Sequence, residues 1–333
     1  MMADNINHTG ANLQMNTGEQ ALSRSSLGSW LTYGLGSENA NLPGFIVLAP
    51  QSPPKGASLW SSSFLPAVHQ GTRIQDLNNP LRNITDPHGD LAWQREKLDA
   101  LQRLNQLHKQ RSAAGDELDA RIASFELAFR MQHKAPEAFD LSQEADATER
   151  LYGLDERATE AFERQCLMAR RLVERGVRFV QLYDTAAGPN AWDLHGGNPG
   201  VIKGLPDRCR GIDKPIAGLI ADLKQRGLLD ETLVVWGGEF GRTPTLENGN
   251  GRGHHPFGFT MFLAGGGVKG GHVLGKTDEF GWWAMEAKVH VHDLHATILY
   301  LMGIDHERLT FHSGDREFRL TDVYGNAVHD VVA

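Results

Sequence analysis

Three stretches of the chain gather the residue types that hold cations and anions. In Trp192-Asp193-Leu194-His195-Gly196-Gly197 a carboxylate and an imidazole stand two residues apart in a glycine-rich run, so both can reach one ion. A hard carboxylate and a borderline imidazole suit zinc, manganese or iron. The competing reading is a turn aspartate beside an exposed histidine. Gly237-Gly238-Glu239-Phe240-Gly241-Arg242-Thr243-Pro244 offers Glu239 as a metal ligand or base. It also offers Arg242 as an anion clamp, because a planar guanidinium grips phosphate or sulfate through paired hydrogen bonds. The glycines let backbone approach a ligand closely. A structural Arg–Glu pair in a tight turn is the alternative. Gly251-Arg252-Gly253-His254-His255-Pro256 carries two adjacent histidines, whose side chains point apart in most backbones, and His254 is the candidate ligand.

A fourth group, His290, His292, Asp293 and His295, opens an apolar helix. It reads as structural, with Asp293 facing the helix dipole and the histidines packing. G-x-S-x-G and G-x-G-x-x-G after a strand are absent, which leaves a nucleophilic-serine enzyme or a dinucleotide fold without a motif.

These stretches need strands to position them. Apolar runs predict strands at 44–48, 177–183, 233–236 and 260–264. Helical periodicity covers 91–132, broken near Gly115, then 159–175, 212–226 and 291–302, and a further helix starts at Ser25 or Ser26. Residues 50–90 hold six of the 14 prolines and read as a long irregular segment, and 133–155 as an acidic loop. Helix–glycine–strand units repeat, which argues for a helix-covered, mostly parallel α/β sheet. In such sheets ligands bind beyond the carboxyl ends of the strands, where the first two candidate clusters fall.

Composition narrows the function classes. Lys and Arg total 33 against 41 Asp and Glu, a net charge of -8, which argues against a broad nucleic-acid surface. Cys166 and Cys209 are too few and too far apart for a disulfide framework or a thiolate metal site. No run approaches the ~18 apolar residues of a membrane span, and the polar start is not a signal peptide.

The motifs WGGEFGRTP, GRGHHP, FLAGGGVKGGHVLGKTDEFG and VHDLHATILYLMGIDHERLTFHSGDREFRLTDVYG are long and specific. With NTG, SLGSWLTYGLGSENANLPGFIVL and WSSSFLPAVHQGTRI earlier, they resemble the domain-of-unknown-function family numbered 1501, along essentially the whole chain. That family is a sulfatase-like branch of the alkaline phosphatase superfamily. The resemblance implies one α/β/α sandwich over 1–333 with a helical insertion at about 91–155, and a one- or two-metal site that cleaves sulfate or phosphate esters. It puts Asp193 and His195 in the ligand loop. Glu239 and Phe240 stand where those enzymes carry an Asp–His pair, so one ligand is exchanged and one lost. His254 stands at a further ligand position, preceded by Gly253 where relatives are usually acidic. Asn7-His8-Thr9 aligns with the nucleophile region, making His8 a candidate ligand and Thr9 a candidate nucleophile. Relatives begin upstream with an export signal and a first strand bearing an Asp ligand, so the expectation is an N-terminally truncated member lacking that strand.

The resulting expectation is a divalent-metal hydrolase (zinc, manganese or calcium) acting on an anionic ester, with a polysaccharide ester among its candidates. Arg242 would hold the anion. The alternative is a binding or scaffold protein that kept the fold and lost the site, which Phe240 and Gly253 favour.

Overall fold

Phe45–Leu48 (β1) is an unbroken run of four apolar residues, and in the computed structural model all four are buried. The structure describes residues 1–81, 90–110, 115–159, 162–185, 188 and 191–333. A strand turns successive side chains to opposite faces, so a wholly buried strand needs cover on both sides. β1 is the middle of a three-stranded parallel sheet, between Thr72–Ile74 (β2) and Phe179–Leu182 (β3).

The helices, in chain order, are His8–Thr17 (α1), Leu27–Leu35 (α2), Leu91–Lys109 (α3), Gly115–Phe139 (α4), Asp146–Tyr152 (α5), Phe162–Glu174 (α6), Gly200–Gln225 (α7) and Val291–Leu301 (α8). Ile46 and Leu48 face α4 and α6 through Ala135, Ala138, Phe139, Met168 and Leu172. Phe45 and Val47 face Leu13 of α1, with Leu59 and Trp60. The parallel sheet is therefore helix-covered on both sides. Trp30 and Leu31 of α2 pack with Leu299 of α8, and Tyr152, Cys166, Leu167 and Ile212 join α5, α6 and α7. Both cysteines are free; burial pushes the Cys166 thiol well up from its ordinary range.

Among the described residues the expectation of a mainly parallel sheet holds only for these three strands. Val234–Trp236 (β4) and Phe262–Ala264 (β7) pair with each other, antiparallel, Val235 opposite Leu263. The reason lies in the segment between them. A parallel return needs a crossover, usually a helix. Residues 237–261 are rich in Gly, Asn, Thr and Pro, and instead of a helix they form Gly241–Arg242 (β5) paired antiparallel with His254–His255 (β6). Two further antiparallel pairs follow, Lys276–Thr277 (β8) with Ala284–Glu286 (β9), and Phe311–Ser313 (β10) with Arg316–Phe318 (β11).

Helices also run beyond their expected limits. α4 carries through Pro136 to Phe139, and α5 occupies part of the stretch read as an acidic loop. α7 begins at Gly200 rather than Ile212, despite Pro206 and Pro215 within it. The helix beginning at 25–26 is α2, with Ser26 as its N-cap. Among the described residues no helix is long and apolar enough to cross a membrane.

Candidate metal centre

α1 begins where Asn7, at the N-cap, accepts from the Thr9 N–H, and this sets His8 on the first turn. Asp193 and His195 come from the loop after β3, Glu239 and Arg242 from the turn after β4 and from β5, and His254 from β6. The pairing of Arg242 with His254 across β5 and β6 brings those two side by side.

The side chains converge on one atom. Asp193 Oδ1 lies 3.2 Å from His8 Nε2, 2.9 Å from His195 Nε2, 3.1 Å from His254 Nε2 and 2.7 Å from Arg242 Nη1. His195 Nε2 and His254 Nε2 are 2.9 Å apart. One ligand atom from each of His8, Asp193 and His254 lies within 4.8 Å of the others, so this trio could hold a metal ion.

The outer edge of each ring explains what the inner edge offers. His8 Nδ1 is 2.5 Å from Glu239 Oε1, His254 Nδ1 is 2.5 Å from the Ile6 carbonyl, and His195 Nδ1 is 3.0 Å from Glu247 Oε2. Each of these partners only accepts, so each ring carries its proton on Nδ1 and donates outward. A neutral imidazole then presents a bare lone pair at Nε2. When the rings are neutral, these lone pairs and the Asp193 carboxylate face one another, a repulsion that a cation relieves and that Arg242, 2.7 Å from Asp193 Oδ1, offsets from one side. His8 Nε2 shows the consequence: although 3.2 Å from Asp193, it is buried and makes no hydrogen bond. The separations measured from Asp193 Oδ1 approach the ~3.3 Å spacing of ligands around a tetrahedral ion with bonds of about 2.0–2.1 Å. An imidazole held from behind by a carboxylate or carbonyl is also the usual setting of a metal-bound histidine. The donor set therefore fits a divalent cation.

Burial works to raise the Asp193 pKa, but the Arg242 guanidinium, with the His254 and His8 rings beside the carboxylate, outweighs it and holds the carboxyl far below its ordinary range. The Glu239 hydrogen bond raises the His8 pKa.

Other candidates fall around this centre. Glu239 stands behind His8, and also takes a hydrogen bond from Asn12 at 3.4 Å. Arg242 reaches Asp193 from the side while donating to the Arg252 and Trp192 carbonyls, both at 3.3 Å. Phe240 packs its ring 4.4 Å from that of His254 and 4.9 Å from that of His8. Thr9 is exposed, and its hydroxyl donates to Asn7 Oδ1 at 3.0 Å. His255 points the other way, buried against Trp282 with its ring on that carbonyl. The 290–295 group is structural: His290 and Asp293 form a capping box, while His292 and His295 bind the carbonyls of Gly18 and Met15 at the end of α1.

One contributor has no motif of its own. Residues 247–251 turn back on themselves through paired bonds of 2.8 Å between Glu247 and Gly251, with Asn248 and Gly249 at positive φ. The turn clamps the ligand loop: Asn248 holds the His195 carbonyl at 3.0 Å, and Asn250 pairs with both polar groups of the Gly197 backbone. Gly251 lies so close that a Cβ there would fall 1.9 Å from the His195 carbonyl carbon. The Asn-Gly-Asn-Gly run was the available signal, since such dipeptides supply positive φ.

Over residues 1–332 the chain matches the family described as protein of unknown function (DUF1501). The chain belongs to this family. No curated protein and no solved structure matches it. In this DUF1501 chain the side chains that meet at Asp193 come from the N-terminal helix (His8) and from three later segments (Asp193 and His195, Arg242, His254), all inside the matched region.

Proposed function

We propose that the protein is a divalent-metal-dependent hydrolase of sulfate or phosphate esters, with a sulfatase-like fold. One observation carries the reading: the three Nε2 atoms of His8, His195 and His254 are turned toward Asp193 Oδ1 by acceptors behind each ring. The helix-covered parallel sheet, with the ligand loop leaving the end of β3, is compatible with the sulfatase-like architecture.

His8, His195, His254 and Asp193 would hold the ion, which when bound supplies Lewis acidity and lowers the pKa of a coordinated water or hydroxyl. The protein's own groups do the rest. Arg242 stands beside the centre with permanent charge and neutralises an anionic ester group there. Glu239 keeps the His8 proton on Nδ1, which leaves Nε2 free. Thr9, exposed beside His8, is the candidate nucleophile. His195, its side chain 38% exposed, lies at the mouth of the site, where a large ester such as that of a polysaccharide has access.

The alternative, a binding protein without catalysis, draws on Phe240, whose ring fills space against two of the histidines. Assays of metal-stripped protein on an aryl sulfate and an aryl phosphate separate the two. Hydrolysis restored by zinc or manganese, and lost in His254→Ala and Arg242→Ala, is expected. Metal uptake with neither ester cleaved would favour binding alone.

A further inference from the structure

Glu247 lies outside every motif, yet its carboxylate Oε2 is 3.0 Å from His195 Nδ1. It is also aimed into a gap left by a glycine. A Cβ built on Gly253 would stand 2.9 Å from the same Oε2, so the carboxylate occupies the space next to a residue with no side chain. Gly253 does not have positive φ, so its backbone does not demand glycine. What an added methyl would meet is the end of the Glu247 side chain. Gly253 itself is pinned to Thr243 through its N–H at 3.0 Å and its carbonyl at 2.9 Å, and cannot easily retreat. Glu247 is fixed from the other side by its paired bonds to Gly251.

We infer that Glu247 is a positioning residue that fixes His195 as the Nδ1–H tautomer and aims its Nε2 at the centre, and that Gly253 is the notch that admits it. This rests on the metal reading above. His195 is the most exposed of the three histidines, with the least packing to orient its ring. A carboxylate behind the ring supplies the orientation and raises the basicity of Nε2.

Two readouts test this in the full chain. Long-range proton–nitrogen correlation on metal-stripped protein reports the His195 tautomer, and zinc titration reports affinity. Wild type should show protonated Nδ1. Glu247→Ala should lose that preference and bind zinc about 10–100-fold more weakly. Gly253→Ala should shift both readouts the same way although it removes no polar group. Glu247→Gln, whose amide oxygen still accepts the Nδ1 proton, should stay closer to wild type than Glu247→Ala. Unchanged zinc affinity or an unchanged tautomer in Glu247→Ala overturns the inference while the metal site stands. No zinc binding by wild type overturns the metal reading, and this inference with it.

Discussion

The histidines of this chain divide by what lies at each ring nitrogen. Those at the centre are half-buried and hold a proton outward. His295 is buried, with Nε2 on the Met15 carbonyl and Nδ1 unpartnered. Burial lowers its pKa to about 4 from an ordinary value of 6.5. The sign follows directly. Below pH 6.5 the unfolded chain takes up a proton that the folded chain refuses, so stability falls with pH until about 4. The slope is about 1.4 kcal/mol per pH unit from this group. His295→Gln keeps a donor for Met15 without titrating, so urea unfolding between pH 7 and 4.5 should show a shallower acid limb by about that slope. An unaltered limb would contradict the assignment. The residue types at the centre were legible because carboxylate, imidazole and guanidinium stand in glycine-rich runs after strands. His8 was reached only through family resemblance, since its partner Glu239 is 231 residues away and no local pattern links them. Glu247 was not legible at all, because its position is set by the turn that follows it rather than by neighbours of like chemistry.

Among the elements, α6 is held by charge as well as by apolar packing. Arg170 is 1% exposed and contacts Glu144 at 2.6 Å, Glu174 at 3.0 Å and Asp222 of α7 at 2.8 Å, while Tyr152 of α5 donates to the same Asp222. This network ties α6, which covers one face of the parallel sheet, to α5 and α7. Removing one member strands buried charge, which typically costs about 3–5 kcal/mol. Arg170→Met should lose that much in urea unfolding; a loss under about 1 kcal/mol, typical of an exposed pair, would contradict it. The positions of β1, β3, β4 and β7 were legible from apolar runs, but their partners were not. A run of Val, Leu and Phe says that a strand is half or wholly buried, not which way its neighbour runs. For β4 and β7 the direction was decided by the helix-free return between them. β2, three residues long, is too short to stand out from a proline-rich segment, and the start of α7 was masked by Gly204 and Pro206.

Across the whole molecule, the centre joins positions 8, 193, 195 and 254, which only the folded chain brings together. A cation bound there binds the native state alone, so uptake and folding are coupled. The net charge of -8 adds a general attraction for cations, but a diffuse charge gives no stoichiometry and no dependence on a single imidazole. That difference makes calorimetric titration of metal-stripped protein with zinc the most direct measurement, run on wild type, His8→Ala and His254→Ala. The account predicts one ion per wild-type chain and loss of that binding in both variants. Equal binding by all three proteins, or none by the wild type, would contradict it.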